Sequence, residues 1–249
     1  MKKFFVLIFL CSSIYADVMY EMETTSQGMM GMGEGITVIR NFIKGDRMRT
    51  ELKTKSPMLG EIEKFTIIRL DKGVVWVLDN ENKEFSEIPL NTVLAETSAA
   101  ETQDILPEIK IEKFDETKAI LKIICDKYVI SMNIKSNNDD LQIIQTMWLG
   151  TDFSGYNEIM AFNKKILNNI TEPSIIGFDK KVIKELQKRI SETNGFPLEI
   201  EFSLNMQNQG MEILLKTKSI IKKISTVPIS DKVFEIPEGY QLNTSLKSN

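Results

Sequence analysis

Between Leu198 and Met206 apolar and polar residues alternate without exception: Leu198, Ile200, Phe202, Leu204 and Met206 against Glu199, Glu201, Ser203 and Asn205. A period of two puts every apolar side chain on one face of an extended strand, so this segment must belong to a sheet with one dry and one wet face. Weaker versions recur along the chain. Met48 and Leu52 alternate with Arg47, Arg49, Glu51 and Lys53, and further strands are predicted at Ile36–Ile43, Phe65–Leu70, Val74–Leu78 and Lys83–Ile88. Lys44-Gly45-Asp46, Asp71-Lys72-Gly73 and Asp79–Asn82 separate them, and polar links this short require antiparallel neighbours. After Pro89–Pro107, read as a loop or short helix crossing the sheet, strands resume at Ile109–Phe114, Lys118–Asn133, bent near Asp126, and Leu141–Leu149. Met211–Ile224 pairs back on Leu198–Met206, and Phe234–Tyr240 closes the domain.

A sheet with one apolar face needs a cover. Two amphipathic helices are predicted to supply it. Ser154 can cap the first, near 154–170, with Ile159, Phe162, Ile166 and Ile170 at helical spacing; Asp179 can cap the second, at 179–193, with Val182, Ile183, Leu186 and Ile190 inward and Gly195 ending it. Its lysines and Arg189 read as a solvated face. The fold class expected is therefore α+β, mainly antiparallel β, as one curved sheet or unclosed barrel over 17–242, followed by a polar tail at 243–249. The segment Gln27–Gly35 reads as a flexible, methionine-rich loop.

Lys2 and Lys3, the apolar run from Phe4 to Tyr15 and the small Ala16 before Asp17 form a cleavable export signal at 1–16, too short to span a bilayer. Lipidation at Cys11 is the rival, opposed by the bulky Leu10. Without Lys2 and Lys3 the 31 basic residues fall to 29 against 35 acids, and the formal charge moves from −4 to −6. Such a surface repels phosphate backbones, so no nucleic-acid partner is expected. Cys125 becomes the only thiol, read as a small buried hydrophobe that can form no internal disulfide. No later stretch is apolar enough to be a transmembrane helix. The expected location is the periplasm or outside the cell.

The chain has no histidine, which excludes Ser-His-Asp and Cys-His machinery and imidazole metal ligands. In Asp79–Lys83 a lysine stands where a calcium loop needs an oxygen donor, and Asn137–Asp140 reads as a solvated turn with at most weak cation affinity. The glycines at 28, 31, 33 and 35 precede no Lys-Ser/Thr and no helix, so they form no phosphate loop. Asn169-Ile170-Thr171 and Asn243-Thr244-Ser245 match a short glycosylation pattern that carries little weight alone. No catalysis and no cofactor are expected.

Arg47–Glu51, Ile67–Val75, Gly155–Lys164 and Phe234–Tyr240 resemble an uncharacterised family of exported bacterial domains, itself distantly similar to the LolA/LolB lipoprotein-carrier fold. The resemblance implies a curved antiparallel sheet with helices on its concave side, and no catalytic residue. An imperfect cover would leave an apolar pocket, and Met48, Trp76, Phe85, Trp148, Phe202 and Met206 are the residues expected to line it, since rings and flexible thioethers suit an acyl chain. The function expected is binding of a lipid, acyl chain or lipidated partner. The alternative is a structural or protein-interaction module of the cell envelope without a small ligand.

Overall fold

The computed structural model describes residues 16–29, 32–57, 60–90, 108–135, 139–169, 193–208 and 211–243. Its strands are β1 (Val18–Met29), β2 (Met32–Lys44), β3 (Arg47–Ser56), β4 (Gly60–Arg69), β5 (Val74–Asp79) and β6 (Glu84–Pro89), then β7 (Glu108–Ile120), β8 (Ile123–Lys135) and β9 (Asp139–Gly150). Helix α1 (Tyr156–Asn169) intervenes before β10 (Phe196–Asn208), β11 (Met211–Thr226) and the two-residue β12 (Gln241–Leu242). All twelve join one curved, unclosed sheet in the order β12-β6-β5-β4-β3-β2-β1-β11-β10-β9-β8-β7. Every pairing is antiparallel except β12 with β6. Two meanders thus run outward from a central β1–β11 seam, in which Val18 lies opposite Thr226 and Ser26 opposite Thr217.

Turn chemistry fixes most of the hairpins. Gly45 and Gly73 take positive φ values of 58° and 68°, which glycine adopts without a Cβ clash. At the β5–β6 turn the Asp79 carboxylate accepts the backbone N–H groups of Glu81 and Asn82 at 2.9 and 3.0 Å. The β7–β8 hairpin is different. Its two central residues are Leu121 (φ 51°) and Lys122 (φ 66°), the left-handed pair of a type I′ turn, where Asn-Gly is preferred. Each such residue costs about 1–2 kcal/mol relative to an ordinary conformation. This turn replaces the bend expected near Asp126, which lies in continuous register opposite Leu149. A second correction concerns 27–35: residues up to Met29 and from Met32 extend β1 and β2, with Met29 opposite Met32, because the pairing of the preceding strands simply continues.

The free edges are blunted. Strand β7 alternates its apolar residues with Lys110, Glu112 and Lys113, and a bulge between Phe114 and Thr117 breaks its outline, which disfavours pairing with another chain. At the opposite edge β12 shields only Glu84 and Phe85 of β6.

One face of the sheet, here called the helix face, receives α1. Ile159 and Phe162 are fully buried there among Val18, Tyr20, Ile43 and Ile221, with Met48, Ile68 and Ile166 packed at the margin. Close approach at the start of the helix requires glycine: a Cβ on Gly155 would lie 2.8 Å from Val18 Cγ2, and its φ is 92°. Ser154, the expected cap, instead shares a 3.1 Å hydrogen bond with the Thr226 hydroxyl. The second predicted helix, 179–193, and most of Pro89–Pro107 lie outside the described residues.

The opposite face is covered too, by the segment that was expected only to close the domain. Residues 227–240 cross the sheet, and the 3-10 turn Asp231–Phe234 drives the fully buried Phe234 into Phe65, Ile67, Trp76 and Leu78. Polar ties fix this tail: Lys44 Nζ donates to Ile229 O at 2.7 Å, and Ile229 N–H donates to Asp17 Oδ2 at 2.6 Å. Arg69, only 8 % exposed, donates to Phe234 O at 3.3 Å and grips Asp71 at 2.8 and 2.7 Å.

Candidate functional site

The six residues expected to line one pocket are spread over three places. Met48 lies on the helix face beside the α1 core. Trp76 and Phe85 lie on the tail face, in the cluster around Phe234. The Trp76 indole donates to Glu87 Oε2 at 2.9 Å, while Arg69 and Lys72 sit 5.6 and 4.9 Å from its ring centre, so it is structural and saturated. Trp148, like Met48, packs at the margin of the α1 core, and the ammonium groups of Lys118 and Lys127 stand 4.9 and 5.8 Å from its ring. Phe202 and Met206 share a third surface. The reason is parity: alternation shows which residues of one strand share a face, but the register between strands decides which faces coincide.

That surface is the face of β7 to β10 opposite the one that carries Cys125 and Trp148. Register places Phe202 opposite Gln145, Leu204 opposite Ile143 and Met206 opposite Leu141, and carries the row on to Met132 and Ile109. Met132, Ile143, Ile130 and Met147 are buried, while Phe202, Leu204 and Met206 on β10 are half-buried. The two clusters formed by these residues other than Met206 draw all their described members from β7 to β10. The sequence reading missed Met132, Ile143 and Met147 because their strands, Lys118–Asn133 and Leu141–Leu149, alternate less strictly than β10. Three methionines and a phenylalanine make this a deformable apolar surface continuous along four strands.

The other face of the same strands carries a cluster of paired charges. Glu199 is only 4 % exposed, held by Lys118 Nζ at 2.6 Å and Lys218 Nζ at 3.0 Å. Burial acts to raise its pKa, but the hydrogen bonds from the two lysines outweigh it and hold the carboxyl below its usual range. An ionised, doubly paired carboxylate cannot serve as an acid; its arrangement is structural. Cys125 is buried and its thiol is pushed up by desolvation, which makes it a poor nucleophile. Tyr20, under α1, is pushed up to about 12 by burial. Among the described residues no three His, Cys, Asp or Glu side chains converge as metal ligands.

A groove of about 1210 Å³ runs along the tail-face tips of β1 to β4, lined by Thr25, Glu34, Ile36, Arg40, Lys53 and Lys55 among others. Its charges are spent on each other: Arg40 pairs with Glu21 at 2.6 Å, Lys53 with Glu63, and Lys55 with Glu61 at 3.8 Å. Self-compensated ladders of this kind stabilise cross-strand pairing and select no charged ligand.

Fold and surface together define an unclosed antiparallel-sheet protein whose distinguishing chemistry, among the described residues, is apolar area. The chain belongs to the family described as "Domain of unknown function (DUF4412)", which matches residues 20–240. Among solved structures it is similar to a DUF1329 family protein from Desulfovibrio piger, at 10 % identity and a TM-score of 0.22, over 90 % of this chain and 91 % of that one. No curated protein matches it. No helix among the described residues is long and apolar enough to cross a membrane.

Proposed function

We propose that this is an exported, non-catalytic binding protein for an apolar ligand: a lipid, an acyl chain or the lipid portion of a lipidated protein. The observation that carries the reading is the apolar face of β8 to β10 on which half-buried Phe202, Leu204 and Met206 continue the buried row of Met132 and Ile143. An acyl chain laid along them gains about 0.8 kcal/mol per CH₂ removed from water, enough for micromolar affinity after association costs. Likeness to the LolA/LolB carriers, noted in the sequence, accords with an unclosed sheet handling such a ligand. The absence of histidine from the chain and the ionised, paired state of Glu199 favour binding over catalysis.

Organic extraction of the protein purified from its exported fraction, followed by mass spectrometry, tests the reading. An acyl lipid near one copy per chain supports it. A lipid-free protein that also fails to take up an acyl probe overturns it. N-terminal sequencing of the same material tests export: a start at Asp17 is expected, and a lipidated Cys11 would place the protein on a membrane instead.

A further inference from the structure

We propose that the apex of the β7–β8 hairpin is a contact point for an anionic lipid surface, an inference that rests on the lipid-binding reading and says where ligand exchange takes place. The apex carries its apolar side chains outward: Leu121 is 44 % exposed and Ile124 65 %. Ile120 and Ile123, beside them, turn inward to the α1 core, so the exposed pair is not needed for packing. The backbone makes the same point. A two-residue turn with positive φ at both centres favours Asn-Gly, yet Leu121 and Lys122 occupy it, and an exposed leucine in that conformation opposes both folding and solubility. A contact outside the chain accounts for it.

Charge identifies the partner. From Thr117 to Cys125 there are two lysines and no acid, in a chain whose exported portion carries a net charge of −6. Glu116 and Asp126, the flanking acids, are engaged by Lys127 at 3.0 Å and Lys113 at 2.7 Å. Lys118 is held by Glu199. Lys122, at the apex, has no ion pair among the described residues. The tip thus presents one uncompensated cation between two exposed apolar side chains. A protein partner needs roughly 800 Å² per side for a stable contact, far more than a projecting two-residue turn offers. A bilayer interface accepts so small a wedge, because its headgroups yield around apolar side chains and its anions attract lysine. The same β8 strand carries Tyr128, Ile130 and Met132 along the apolar face, which gives a ligand leaving the bilayer a continuous path.

The test is sedimentation of the exported protein with vesicles of phosphatidylcholine alone and of phosphatidylcholine mixed with phosphatidylglycerol. Wild type is expected to bind the mixed vesicles and to be released by salt. The double variant Leu121→Asn/Lys122→Gly, which installs the preferred turn and so folds at least as well, is expected to bind about tenfold less. Ile124→Ser should also weaken binding. Titration with a soluble acyl probe, without vesicles, should be unchanged in both variants, which separates this inference from the ligand reading beneath it. Failure of the acyl titration in wild type would sink that reading while leaving the vesicle result to stand or fall alone. Absence of salt-sensitive binding to mixed vesicles, or a double variant within twofold of wild type, overturns the inference. So does wild-type self-association that the double variant loses, because the tip would then serve a second copy of the chain.

Discussion

Strands β2 to β5 and strands β8 to β10 belong to one sheet but are finished differently. The first group is clamped between α1 and the 227–240 tail, so Ile43 on one face and Ile67 on the other are both nearly inaccessible. In the second group one face carries paired charges around Glu199, and the other is an apolar row whose described members all lie on the strands. A sheet region covered twice has its apolar area committed to stability. A region whose apolar face carries no cap among the described residues is the one proposed to take a ligand.

The comparison is broken or sharpened first by core truncation. Phe234→Ala, beneath the tail, should cost about 3–5 kcal/mol in urea unfolding, whereas Phe202→Ala, on the half-buried β10 row, should cost under about 2 kcal/mol. Equal losses would mean the β10 row is as fully committed to packing as the tail core. Next, α1 docks through Ile159, so Ile159→Ala should lose about 2–4 kcal/mol while the exposed Lys164→Ala changes almost nothing. Similar effects from both would contradict the observed docking face.

Acid should then reveal one paired carboxylate in each region. Hydrogen bonds from Arg69 hold Asp71 below its usual range in the clamped half, and Lys118 with Lys218 do so for Glu199 in the other. For a depressed carboxylate, the stabilisation is fully present above the unfolded-state pKa, near 3.9 for Asp and 4.3 for Glu, and is lost as pH falls through the lower folded value. Asp71→Asn and Glu199→Gln should each flatten the acid limb of a stability profile taken from about pH 6 to pH 2. A limb unchanged by both would show that neither pair contributes. The smallest effect expected is a gain: Leu121→Asn/Lys122→Gly should raise unfolding stability by about 1 kcal/mol, and a loss would mean the native turn is not strained.

Much of this architecture was legible because sheet alternation and turn chemistry are local. Gly45, Gly73 and Asp79 mark their turns, and Ile159, Phe162 and Ile166 mark the helix, from residue type alone. The β7–β8 turn was illegible for the converse reason: Leu121-Lys122 carries no turn signal, and only the pairing of Ile120 with Ile123 forces it. Strand order is non-local as well. Nothing in Glu84–Pro89 or Glu108–Ile120 shows that these consecutive strands lie near opposite edges, or that β1 meets β11. The site suffered most. Trp76 and Trp148 are attractive as aromatics, but register puts Trp76 under the tail and Trp148 on the opposite side of β9 from the Phe202 row, and the tail segment was expected only to close the domain.

The central claim is that the apolar ligand occupies the Phe202 face of β8 to β10 and not the sheet at large. Ile144 offers a matched control, since it lies on β9 between Ile143 and Gln145, points to the other face and is 38 % exposed. Fluorescence titration of the protein with a long-chain acyl probe, repeated on folded Phe202→Glu and Ile144→Glu variants, tests the claim directly. Saturable binding that Phe202→Glu weakens by about tenfold or more and Ile144→Glu leaves intact is the predicted result. No saturable binding in wild type, or equal behaviour of the two variants, would contradict it.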